Sequence, residues 1–275
     1  MTTLRDGQGG HDDQRTGSDV VRRSGGAATL SAATLSAATV SQALLDYYLI
    51  HPQRPYGDQP TQPEGLLVEE FVLDEDHTAV LLNSAGWAVS DRRWQSASAF
   101  SRGVRVDADL RGRVVVASRP EAEAVYGRLG GGELPDEDVL RSYFRDGQPL
   151  ATSAPLRLGP GQVTPGFHET RVHRILFANG PGGQGLVNLR VTWQMTVADD
   201  AADPRTRVIG TAYRRVGADA FSWDLRRISL GSAWCLDVTA NLASGCDDTI
   251  GPLLRELTAE MRRQGLIPVT IERFS

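Results

Sequence analysis

Ile250, Leu253, Leu254, Leu257 and Met261 fall at i, i+3, i+4, i+7 and i+11. That spacing lays one apolar stripe along a helix, and the stripe needs an apolar surface to cover it. Asp247, Asp248 or Thr249 can cap the start, Gly265 ends the helix, and a strand over Ile267–Phe274 follows at once. The covering surface is legible upstream. Arg171–Ala178 and Leu186–Val197 read as a hairpin over the Gly-rich turn Asn179–Gly185. Arg207–Val216 and Phe221–Leu230 read as a second hairpin over Gly217-Ala218-Asp219, and Trp234–Ala240 adds a strand. Strands in runs with helices set apart define an α+β chain. The expectation is a mainly antiparallel sheet of about eight to ten strands, with a long C-terminal helix packed on one face. Trp193, Tyr213, Phe221, Trp223 and Trp234 are then core residues first, and pocket lining second.

The N-terminal half is more broken. Residues 1–41 read as a disordered, low-complexity tail that repeats AATLS, AATLS, AATVS over 27–41. Residues 42–275 form the single folded domain, with two subdomains divisible near the Pro/Gly-rich stretch 147–166. Ala43–Ile50 reads as a helix stopped by His51-Pro52, and the prolines up to Pro63 as an extended connection. Strands follow at Leu66–Leu73 and Ala79–Asn83 around the acidic turn Asp74–His77, with Gly86–Val89 continuing the pairing. Gly103–Val106 and Arg113–Ala117 look like another pair. Two short helices then begin at Pro120 and Pro135, the first halted by Gly130-Gly131-Gly132.

Composition removes several chemistries. All 29 basic residues are arginine, so lysine Schiff bases and the phosphate-loop lysine are excluded. The same bias, with abundant Ala, Gly and Asp, suggests a GC-rich bacterial genome. The net charge is −5 and the arginines form no basic run, so no nucleic-acid partner is expected. Cys235 and Cys246 are too few for a disulfide framework or a cysteine-only zinc site, and a reducing, cytoplasmic setting is expected. No apolar run reaches membrane-helix length, so no membrane partner is expected. Arg22-Arg23 before an Ala/Thr/Ser/Leu stretch gives only a feeble twin-arginine export signal.

The densest reactive stretch is Phe167-His168-Glu169-Thr170-Arg171-Val172-His173. It is not HExxH, because the second histidine falls one residue late for a shared helix face. On a strand, His168 and His173 point to opposite faces. Read as a site, His168 or His173 is the acid/base and Glu169 orients it, without a metal. Read as structure, it is a solvated strand start. Cys235 is read as a buried small hydrophobe. Asp224 and Arg226 are read as facing water or pairing with Arg214 or Arg215 on the neighbouring strand, rather than as pocket lining. Gly180–Gly185 is set aside as a phosphate loop, since it is read as joining two strands and offers no helix N-terminus.

The order of elements over Val208–Phe274, with Gly251, Leu253-Leu254, Leu257, Arg262 and Gly265 in the helix, resembles the central part of the GNAT acetyltransferase superfamily. The resemblance implies a turn at Ala243-Ser244-Gly245 holding the pyrophosphate of acyl-CoA, and a splayed strand pair beside it. The family's Gly-rich turn pattern is absent, and Pro252 and two aspartates stand at that place. Three functions are thus expected in turn. The first is binding or processing of a small acyl-type metabolite by metal-free acid/base chemistry, with specialised metabolism as a natural setting. The second is a non-catalytic interaction or regulatory module, and the third a divergent GNAT-like acyltransferase. Cofactor and oligomeric state have no signature in the chain.

Overall fold

Tyr47, Tyr48, Leu49 and Ile50 do not continue a helix; they form an inner strand of a sheet. The computed structural model describes residues 45–53, 62–151, 163–201, 203–228 and 233–275, all within one compact unit, 43–275. The tail, its repeat, the prolines of 54–61 and most of the 147–166 stretch lie outside the described residues. Strand β1 (Asp46–Ile50) pairs antiparallel with β2 (Gly65–Leu73) and with β5 (Val114–Ala117). A strand covered on both faces needs apolar residues on both, and Tyr47 and Tyr48 supply one each. A short apolar run of this kind has no period that separates helix from strand.

The first sheet runs β4-β3-β2-β1-β5, where β3 is Ala79–Ala88 and β4 is Trp94–Ser96; β6 (Gln148–Pro149) shares the outer edge of β3. Gly103–Val106 is not a strand but the end of helix α1 (Ser98–Val106), and α2 (Ala108–Arg111) follows. Helical spacing brings Ser101 and Arg105 together onto the buried carboxylate of Glu69. Helices α3 (Arg119–Arg128) and α4 (Glu137–Arg141) start near the expected prolines. Ser118 and Glu121 form a capping box at α3. Ala122, Val125, Tyr126 and Leu140 of these helices cover Tyr47, Leu66, Val68 and Trp87 on one face of the sheet.

The second sheet runs β12-β7-β11-β10-β9-β8 and is wholly antiparallel. Its strands are β7 (Glu169–Phe177), β8 (Thr196–Val197), β9 (Val208–Val216), β10 (Asp219–Ile228), β11 (Ala233–Leu242) and β12 (Pro268–Arg273). The expected single sheet is therefore two sheets. The expected strand Leu186–Val197 is mostly helix α5 (Gly183–Thr192). Leu186, Leu189 and Trp193 sit three and four residues apart and meet the core, while Val187 and Val191 stay outside.

Helix α6 (Ile250–Arg263) keeps its expected stripe but has only 14 residues, so it is not long. Gly265, at φ +82°, ends it in a backbone conformation that a side chain resists. Leu253, Leu254, Leu257 and Met261 pack on Ile175, Phe177, Leu225 and Leu236 of the second sheet. From another side of α6, Arg262 reaches Asp46 and Tyr48 of the first sheet. The helix thus lies between two sheets rather than on one face of one. Residues alternate across strands, so Arg174, Arg226, Cys235 and Asp237 stand on the face of the second sheet turned away from α6. Of the aromatics, Trp193, Phe221, Trp223 and Trp234 are core, and Tyr213 is 73% exposed.

Candidate anion-binding site

His168, Glu169 and His173 do not converge on one cavity. His168 precedes β7, is exposed, and lies beside Gly245. Glu169 accepts both Arg171 Nε and Nη2, at 2.8 and 3.0 Å, and this pairing holds its carboxyl below the usual range. Arg273 reaches the same carboxylate at 3.3 Å. His173 is fully buried with no hydrogen bond at either ring nitrogen. Burial, seconded by His77, pushes it down to about 3. Its ring centroid is 6.2 Å from that of His77, a residue of the β2–β3 turn at φ 60°.

Charged groups enclose this histidine pair. Arg273 joins Asp76 to Glu169, Arg171 joins Glu169 to Asp247, and Asp247 lies 3.9 Å from His77. Burial works against the Asp247 carboxylate, yet Arg171 outweighs it and holds the carboxyl low. The arrangement ties the β2–β3 turn, β7, β12 and the loop before α6 together. Among the described residues, no group of three or more His, Cys, Asp or Glu side chains could hold a metal ion.

The acetyltransferase-like opening is not formed. Strand β11 is paired along its length to β7 and to β10, so nothing splays before Ile250. The Ala243 N–H there donates to Asp219, not to a free anion site. The Gly-rich stretch needs the opposite correction, because it does precede a helix, α5. At Gly180 a Cβ would come within 2.0 Å of the Trp234 indole nitrogen, so this glycine serves close packing.

The open face of the second sheet carries a cleft of about 540 Å³ lined by Arg174, Arg205, Arg207, Arg226, Arg227 and Cys235, with Pro204, Thr206 and Ile228. Local geometry gathers these residues. Arg174 and Arg226 come from strands flanking β11. A bulge in the β9–β10 ladder sets Leu225 opposite Gly210 and Arg226 opposite Val208. A bulge bends its strand, and here it does so just after Arg205, Thr206 and Arg207. The backbone N–H of Arg227 donates to the Arg207 carbonyl and anchors that loop.

The five guanidinium groups are committed to different degrees. Arg174 grips both oxygens of Asp237, at 2.6 and 2.8 Å, and Arg226 adds a bond of 3.2 Å to the same carboxylate. Arg226 is therefore cleft lining, not a partner of Arg214 or Arg215. Asp224 instead accepts the Thr211 hydroxyl, and Arg214 pairs with Glu256. Arg227 lies over the Trp234 ring and donates to the carbonyl of Asp203. Asp203 turns its carboxylate to the Arg205 backbone N–H. Arg205 and Arg207 are exposed, and no side-chain partner meets either among the described residues. Cys235 is buried as expected, and burial beside Asp237 pushes its thiol up to about 12, far from a thiolate nucleophile. Sequence reasoning missed the cleft because its arginines are scattered along the chain. The one local signal was the cluster of arginines at 205, 207, 226 and 227 around the second hairpin.

Compared with known protein families, with curated proteins and with solved structures, the chain matches none of them.

Proposed function

We propose that this chain binds a small organic anion in the arginine-lined cleft on the open face of its second sheet. The supporting observation is a cleft lined by five arginines, of which only Arg174 and Arg226 share a carboxylate, Asp237, in a chain of net charge −5. Arginine forks match carboxylate and phosphate oxygens two at a time. A cleft of one sign concentrates its counter-ion. Acyl-type acids and phosphate esters both belong to this ligand class. The reading is binding rather than proton transfer, because the described cleft lining holds no histidine, aspartate or glutamate to act as acid or base.

Thermal unfolding at fixed ionic strength tests it. A ligand at about 100 times its Kd adds about 2.7 kcal/mol, or roughly 5–10 °C in Tm for a domain of this size. At least one small carboxylate or phosphate is expected to give such a rise, and Arg207→Ala to remove most of it. A flat response to every anion would contradict the proposal. The interaction-module reading draws on β5, which among the described residues has a neighbour only on its β1 side and exposes Val115. That reading gains if no anion acts.

A further inference from the structure

We infer that the group held in this cleft is a phosphoryl dianion carried on an organic molecule, rather than a single carboxylate. The inference rests on the anion-binding reading. Charge is the first argument. Asp237 already neutralises part of Arg174 and Arg226. Arg227 donates to the backbone carbonyls of Asp203 and Ala201, and no carboxylate meets it among the described residues. Arg205 and Arg207 add two further guanidinium groups with no carboxylate on them among the described residues. A carboxylate brings one negative charge and two oxygens, which one arginine fork satisfies. A phosphoryl group brings about 1.5 to 2 charges and three acceptor oxygens, which need several donors from different directions.

Direction is the second argument. Arg205 and Arg207 enter from the loop before β9, whereas Arg226 and Arg227 enter from the end of β10. Donors from two elements surround a tetrahedral group better than a planar one. Size is the third. About 540 Å³ exceeds what inorganic phosphate fills and falls among ordinary ligand pockets. Ile228 and Pro204 give the remainder of the cleft apolar surface for the organic part.

Isothermal titration of the whole chain with inorganic pyrophosphate, inorganic phosphate and acetate tests this. Each is run at equal ionic strength against the parent and an Arg205→Ala/Arg207→Ala double variant. The expected result is pyrophosphate and phosphate binding at least about tenfold tighter than acetate, and a loss of at least about tenfold in the double variant. Both side chains are exposed, so the fold should survive, and an unchanged Tm without ligand confirms it. Equal affinity for acetate and the phosphates would overturn the phosphoryl assignment and leave the anion-binding reading standing. Tight phosphate binding unaffected by the double variant would overturn the assignment of the site. No binding of any of the three would overturn both.

Discussion

An Arg105→Met variant is expected to lose about 3–5 kcal/mol of stability, the usual cost of stranding a buried charge. Glu69 and Arg105 are 1% and 4% exposed at their side chains, and the pair is bidentate, at 2.9 and 2.8 Å. Ser101 adds a hydroxyl bond to the same carboxylate. Without the guanidinium, Glu69 must stay charged in an apolar layer or take up a proton. Either route costs free energy, because water cannot reach it. The double variant Glu69→Leu/Arg105→Met removes both charges and is expected to return to within about 1 kcal/mol of the parent. Urea unfolding at pH 7 reads both effects as a shift in midpoint at constant slope. A loss below about 1 kcal/mol in the single variant would mean that the pair is not sealed from solvent.

The second large effect is on acid stability, and it belongs to His173. Its folded pKa lies near 3 against an ordinary value of 6.5. The unfolded chain therefore binds a proton that the folded chain refuses. Stability from this histidine is fully present above pH 6.5 and falls as pH drops below it. The loss at pH 5 is about 2 kcal/mol, and it approaches about 5 kcal/mol near pH 3. Asp247 and Glu169, whose folded carboxyls are held low, add losses only as pH falls through the carboxylate range. Asp46, whose carboxyl is raised by burial, acts in the opposite sense as pH falls, so between pH 6.5 and 5 the difference between the parent and a His173 variant isolates the histidine. A His173→Leu variant is expected to flatten stability there and to be no weaker than the parent at pH 7, since two unbonded ring nitrogens leave the core. An unchanged slope between pH 6.5 and 5 would show that the imidazole is solvated.

The C-terminal region was legible because its signals are local and periodic. The α6 stripe, the Gly217-Ala218 hairpin and the closing strand each lie within one short segment. The misreadings share a cause: short apolar runs whose partners are distant. Tyr47–Ile50 is a strand because β2 and β5 flank it, 15 or more residues away in sequence. Gly183–Thr192 is a helix because the second sheet offers a face to Leu186 and Leu189, leaving Val187 and Val191 outside. The division into two sheets was not legible, because α6 shows one stripe in sequence. Its contacts with the first sheet use Arg262, a residue type normally read as solvent-facing.

The candidate site shows the same limit more sharply. Phe167–His173 gathers reactive residues in sequence, yet in space His168 leaves the group and His173 is sealed beneath charged pairs. The cleft gathers arginines from 174 to 227 that no window of the sequence holds together. A basic run is how charge announces itself along a chain; a cleft needs only that strands and a loop end at the same place.

The most direct measurement uses the all-arginine composition. The chain has 29 arginines and no lysine, so no lysine signal accompanies the guanidinium resonances. Nitrogen-15 spectra of the arginine Nε–H groups, recorded while pyrophosphate is added, report which of them meet the anion. The expected result is saturable shifts at Arg205, Arg207 and Arg226, with Arg105 and Arg262 unmoved in their buried pairs. Shifts confined to arginines outside the cleft, or small unsaturable drifts at all exposed ones, would contradict the account.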